Sequence, residues 1–219
     1  MQNRIVSRAL RDLALPLLLP LLSATLLAGC SNANNPYAKI ADGPLTTGSL
    51  HTVTYVTEDP KFAEGLGKGA YDTLALAPNY QNAIKVESVL WDVPEEVAGK
   101  VVILKAPPGA PDIRVLLLPA LPPAPPAADA DALRDFYRNV LGTDVPRAPG
   151  NLSAPGVRVQ VWTYLVPDIL DVKRKLRAHT IPLLTEPVGI TTSYLGNEQA
   201  MSLRAPDGAI VELVQTALQ

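Results

Sequence analysis

The chain has 219 residues, a formal net charge of −2 and a single cysteine. A balance so close to neutral supplies no basic face for nucleic acid, and one cysteine excludes an internal disulfide, so a fold outside the cytosol must rest on its core alone. The length suits one compact domain or two small modules sharing a core.

Residues 1–29 read as targeting rather than fold. Arg4, Arg8 and Arg11 give a basic start, and Leu13 to Leu27 is an apolar run broken by Pro16 and Pro20, too short for an ordinary spanning helix. Leu27-Ala28-Gly29-Cys30 then matches a bacterial lipobox: the small residues let a peptidase reach the backbone, and the Cys30 thiol takes the lipid. The expectation is a lipoprotein signal peptide over 1–29 and acyl chains, palmitate among them, that hold Cys30 to a membrane, since two or more chains anchor stably where one does not. Ser31, rather than Asp, follows the cysteine, which directs the expectation to the bacterial envelope, at the outer membrane facing the periplasm. Removing the leader takes three arginines and one aspartate with it and leaves 16 basic and 20 acidic residues, about −4.

Residues 30–48 are polar and rich in Asn, Gly and Pro and read as a flexible tether. His51 to Thr57 alternates like a strand. Asp59-Pro60 opens a helix candidate running through Phe62 and Tyr71 towards Leu76, weakened by Gly65, Gly67 and Gly69. Read as a phosphate cradle, Gly65-Leu66-Gly67-Lys68-Gly69 lacks the strand-loop-helix context such a cradle needs. Lys85 to Trp91, Val101 to Lys105 and Ile113 to Leu118 are further strand candidates. Pro119, Pro122, Pro123, Pro125 and Pro126 make a stiff connector. Ala130 to Leu141 is a helix, with Leu133, Phe136, Tyr137 and Val140 at helical spacing and Gly142 as its stop.

The last third is the most legible. Val157 to Val166 alternates with period two, Asp168 caps a helix carrying Ile169, Val172 and Leu176, and Ile181-Pro182 stops it. Thr191 to Leu195 and Gln199 to Arg204 read as strands joined at Gly196-Asn197. Ala205-Pro206-Asp207-Gly208 is a turn, and Ala209 to Val214 the last strand.

This order, with the join VWTYLVPDILDVKRKL and the closing LGNEQAMSLRAPDGAIVELVQ, resembles one module of the vicinal-oxygen-chelate superfamily, the glyoxalase, bleomycin-resistance and extradiol-dioxygenase group. Residues 49–119 repeat the order of elements, though not the residues. The resemblance implies an α+β fold in which two βαβββ modules, 49–119 and 151–219, form a half-open, cup-shaped mixed sheet. Between them, 120–150 is a Pro-rich linker and helix; Phe136 to Gly142 looks like the family's first-module helix but falls between the modules.

Metal-binding members of this family draw ligands from the first and last strands of each module. His51 and Glu212 match such positions, whereas Val161 and the run Val115 to Leu118 stand where the other two would be. Two ligands are an incomplete set, since a catalytic metal normally takes about three from the protein. Gln160, Gln199 and Glu87 are available recruits that no spacing selects, and His179 reads as a solvated helix end. A divalent cofactor is therefore open but not favoured. Without a metal, Glu212 is either a general base in the cup or the partner of Arg204 or Arg114, or a rim residue, and His51 either keeps a polar role or is a bare strand edge. Tyr55, Trp162, Tyr164 and Trp91 are strand aromatics of the kind that pave ligand cups or fill cores. Trp162 and Tyr164 share one face of their strand and Val161 and Thr163 the other. No Ser-His-Asp or Cys-His set is present. The resemblance thus implies an envelope protein that binds a small ligand in a metal-free cup or, alternatively, a metal-dependent lyase, isomerase or dioxygenase using His51 and Glu212. The family's habit of further association adds a homodimer as an expectation.

Overall fold

A computed structural model describes residues 35–37, 45–46, 49–62, 72–74, 87–94, 101–106, 108–125, 127–149, 155–190 and 198–215. The expected leader, most of the tether, the Gly65–Gly69 run and the Thr191–Leu195 strand with its Gly196-Asn197 join lie outside these residues.

Among the described residues, eight strands form one mixed sheet: β1 (Leu50–Thr57), β2 (Asp72–Leu74), β3 (Val101–Lys105), β4 (Asp112–Leu117), β5 (Val157–Val166), β6 (Val188–Ile190), β7 (Glu198–Arg204) and β8 (Ile210–Gln215). Their spatial order is β2-β3-β4-β1-β5-β8-β7-β6. Each half therefore has its first strand parallel to its last, β1 with β4 and β5 with β8, while the remaining pairs are antiparallel. The halves meet along β1 and β5, which run antiparallel. This is the paired βαβββ arrangement expected from the sequence, closed into a curled half-barrel.

Alternation sorts the strands onto two faces. On one, Val53, Tyr55, Ile113, Val115, Trp162, Tyr164, Met201, Leu203, Val211 and Leu213 make an apolar layer. Two helical segments cover it. The first is α1 (Ala130–Asp135), capped by the Asp129 carboxylate, which accepts from the N–H groups of Asp131 and Ala132. It widens into a π-helical stretch over Phe136–Leu141 and stops at Gly142, whose φ of 73° is left-handed. The second is α2 (Ile169–Ala178), capped by Asp168, with Ile169, Val172 and Leu176 buried and Lys175 and Arg177 in its last turn. Each such buried side chain contributes roughly 1.5–3 kcal/mol, so packing rather than propensity holds these short helices in place.

Two expectations for the first half are corrected. Residues 87–90 are a helical turn, not part of a strand, and Asp72–Leu74, expected as helix, is the edge strand β2. Beyond β4 the proline connector crosses the end of the sheet: Leu118 donates its N–H to the Thr57 carbonyl and Leu121 to the Glu58 carboxylate. It then meets the Asp207-Gly208 turn, where Pro125 Cβ stands 2.3 Å from the place a Cβ on Gly208 would occupy. With a φ of +81° as well, that position accepts glycine alone.

Candidate functional site

The opposite face differs in kind. Its apolar lining comes from Val56, Val101, Ile103, Leu116, Val161, Ile210, Val214 and Ala200, with Leu90 and Trp91 packed onto it. Within that lining stand buried polar groups. Register places Thr54 beside Arg114 and Thr163 beside Glu212, with Ser202 on the far side of Glu212.

Glu212 is 1% exposed and bonded through both oxygens. Its Oε1 accepts from Trp91 Nε1 at 2.8 Å. Its Oε2 accepts from Thr163 Oγ1 at 2.7 Å and from Arg114 Nη1 at 3.4 Å. Arg114, equally buried, spreads its guanidinium over the Trp91 ring, 4.1 Å from the centroid. Of the two pairing partners the sequence offered Glu212, Arg114 is the one present. Arg204 pairs instead with Asp92.

Two further carboxyls enter the same field. Glu87 comes from the helical turn and is 1% exposed, and its Oε2 has no hydrogen-bond partner. Burial pushes its carboxyl up to about 8, opposed by Arg114 and assisted by Glu212 and Glu198. Glu198, at the start of β7, is buried with neither oxygen bonded. Burial, with the charge of Glu212, raises it to about 7. The Thr54 hydroxyl is a fourth buried oxygen without a partner among the described residues. One cation thus faces three acids, and burial favours the neutral form of Glu87 and Glu198, because an isolated charge in an apolar setting is expensive.

His51 sits at a register shift where β1 meets β5. Its Nδ1 lies 2.8 Å from Thr52 Oγ1. Burial lowers its pKa, with Asp112 and Glu212 pulling it back up and Lys105 and Arg114 pushing it further down. The imidazole therefore feels the same charges as the cluster. No hydrogen bond joins it to Glu212 among the described residues, and among those residues no group of three His, Cys, Asp or Glu is placed to hold a metal. His179 forms the C-cap of α2, as expected.

The predicted aromatic lining is redistributed. Tyr55 and Tyr164 lie in the helix-covered layer, and Trp162 joins them there. Strand alternation put Trp162 and Tyr164 on one face, and it is the face that α1 and α2 close. Trp162 reaches the edge of a separate cleft of about 440 Å³ at the end of the sheet, walled by Pro122 and Pro125 and flanked by Arg158 and Arg204. The aromatic that does occupy the hollow is Trp91, expected on a strand and found in the turn after residues 87–90. Glu198 was not anticipated; a charge at the first position of a strand ordinarily reads as solvated.

Strand order, the two parallel first-to-last pairs and the hollow between them define a protein of glyoxalase-like, vicinal-oxygen-chelate fold. No family model and no curated protein matches the sequence. Among solved structures, the chain is similar to methylmalonyl-CoA epimerase from Mycobacterium tuberculosis, at 15% identity over 83% of this chain and 95% of that one, with a TM-score of 0.45. It is also similar to the Streptomyces coelicolor methylmalonyl-CoA epimerase, at 16% identity over 77% and 97%, TM-score 0.42. A glyoxalase/bleomycin resistance protein/dioxygenase superfamily member from Vibrio splendidus 12B01 aligns at 13% identity over 76% and 99%, TM-score 0.36.

Proposed function

We propose that this chain is a lipid-anchored envelope protein that binds a small molecule in the hollow of its sheet without a complete metal site. One observation carries the reading: Glu87, Glu198 and Thr54 keep buried oxygens unbonded around the Arg114–Glu212 pair. Such groups cost about 1–3 kcal/mol each when left unmatched, and a core built only for stability would replace them with apolar side chains. Their retention fits a surface whose hydrogen bonds are completed by a ligand. Glu212 supports the metal-free form of the reading, since three protein donors already occupy its two oxygens. Anchoring through Cys30 rests on the Leu27-Ala28-Gly29-Cys30 motif and the polar tether behind it.

The test uses the full chain made unlipidated by Cys30→Ala, with metal analysis followed by a thermal-shift screen of small molecules. The expected result is no stoichiometric metal, together with ligand-induced shifts that disappear in Glu212→Gln. Stoichiometric metal, lost in both His51→Ala and Glu212→Ala, would replace this reading with a metal-dependent lyase, isomerase or dioxygenase. Incorporation of labelled palmitate into the wild-type chain, absent in Cys30→Ala, checks the anchor.

A further inference from the structure

A cleft of about 440 Å³ lies outside the hollow, between the proline connector and the first half of β5. A register shift shapes its floor. Tyr55 pairs with Val159 and Thr54 with Val161, so Gln160 is skipped and β5 bulges there. Val157 and Val159 pack on the helix-covered layer, and alternation turns Arg158 between them the other way. Arg158 differs from the other arginines. Arg114, Arg134, Arg138, Arg174, Arg177 and Arg204 each pair with a carboxylate, and Arg147 is exposed. Arg158 is partly buried, lines the cleft, and has no hydrogen bond or ion pair among the described residues. A guanidinium drawn partly out of water and left unmatched costs free energy that only a counterion returns. The remaining charges in the cleft are engaged. Arg204 donates to Asp92 and to the Gly208 carbonyl, and Asp207 accepts from the Ala209 N–H of its own turn. Pro122, Pro123 and Pro125 line the cleft together with Trp162, which is 6% exposed. Because each proline ring fixes its φ, that wall stands before any ligand arrives, and little order is lost on binding.

We propose that this cleft is a second binding site, for a monocarboxylate with a flat apolar body, its carboxylate held by Arg158 and its ring lodged among Pro122, Pro125 and Trp162. The planar fork of a guanidinium meets a carboxylate through two parallel N–H donors. The volume falls in the range of small-molecule sites. Charge sets the valence of the ligand. Arg158 and Arg204 are matched in number by Asp92 and Asp207 along the cleft, so a phosphate monoester would bring nearly two negative charges against two carboxylates, where a carboxylate brings one. The site shares no residue with the Arg114–Glu212 pair and goes beyond the binding reading above.

The Cys30→Ala chain is titrated calorimetrically with naphthoate, with its neutral amide naphthamide, with acetate and with naphthyl phosphate. Naphthoate should bind one to one, and Arg158→Gln should weaken it about tenfold or more without lowering the melting temperature, since no described partner of Arg158 is lost. Naphthamide, acetate and naphthyl phosphate should each bind about tenfold more weakly than naphthoate, or weaker still. Equal binding of naphthoate and naphthamide would overturn the role of the charge, and equal binding of acetate the role of the walls. Tighter binding of the phosphate would overturn the preference for a monoanion. These comparisons need no variant, so they decide even if Arg158→Gln fails to fold. Naphthoate binding lost in Glu212→Gln but kept in Arg158→Gln would place the ligand in the hollow and overturn the cleft. No naphthoate binding, while other small molecules raise the melting temperature in a Glu212-dependent way, would overturn this inference and leave the binding reading standing.

Discussion

The two faces of the sheet use the same strands and were built to different ends. Residues 163 and 164 on β5 show it within one step of the backbone. Tyr164 turns towards α1 and α2 and is fully buried with its hydroxyl unbonded, its pKa raised by that burial. Thr163 turns into the hollow, and its hydroxyl holds Glu212. The helix-covered face also carries unbonded hydroxyls, those of Tyr137 and Tyr164, inside an otherwise apolar layer. The hollow organises charge: Arg114 and Glu212 are each 1% exposed and lie on opposite halves of the molecule, 98 positions apart. Burying a pair in this way seldom adds net stability over apolar residues of the same volume. The comparison teaches that one sheet can carry an apolar layer on one side and a buried charge cluster on the other.

The comparison breaks most visibly at Arg114. Arg114→Ala leaves Glu212 buried without a cation and should cost about 3–5 kcal/mol by denaturant unfolding. A cost under about 1 kcal/mol would mean that the pair is not desolvated in solution. At the neighbouring positions of β5, Thr163→Val removes a hydrogen bond to a charged group and should cost about 1.5–3 kcal/mol. Tyr164→Phe removes an unbonded hydroxyl from the covered face and should be neutral or stabilising by up to about 1 kcal/mol. Equal losses from the two would erase the distinction between the faces.

A smaller effect follows from the protonated acids. Because burial raises Glu87 to about 8 and Glu198 to about 7, the folded chain binds more protons than the unfolded one between the ordinary carboxylate range and those values. Stability should therefore be highest below that window and fall as pH rises through it. Glu87→Gln should flatten the decline towards its alkaline end, measured as melting temperature against pH. A profile that rises across the same window would contradict the assignment of either acid as neutral.

Much of the fold was legible because alternation is a local property. β5, α2 and the Pro-Asp-Gly turn follow from period two, an Asp cap and turn chemistry within a few residues. The first half was harder for physical reasons. β2 has three residues, too few to show a period, and the run containing Glu87, Leu90 and Trp91 is short and apolar enough to suit either a strand or a helical turn. The site was legible in its anchor residue and not in its arrangement. Glu212 stood out as a carboxylate on an apolar strand, but its partner Trp91 is 121 positions away, and no local pattern encodes such a meeting. Alternation likewise assigned Trp162 and Tyr164 to a common face, while the choice of which face the helices cover is made only in three dimensions.

The central claim is that the charges in the hollow serve binding rather than folding, and the double variant Arg114→Met/Glu212→Gln tests it most directly. It removes the ion pair but keeps an acceptor for Trp91 and Thr163. The account predicts unfolding free energy within about 1 kcal/mol of the wild type, with the ligand-induced thermal shifts lost. A variant that loses several kcal/mol yet keeps the ligand-induced thermal shifts would show that the pair is structural and contradict the account.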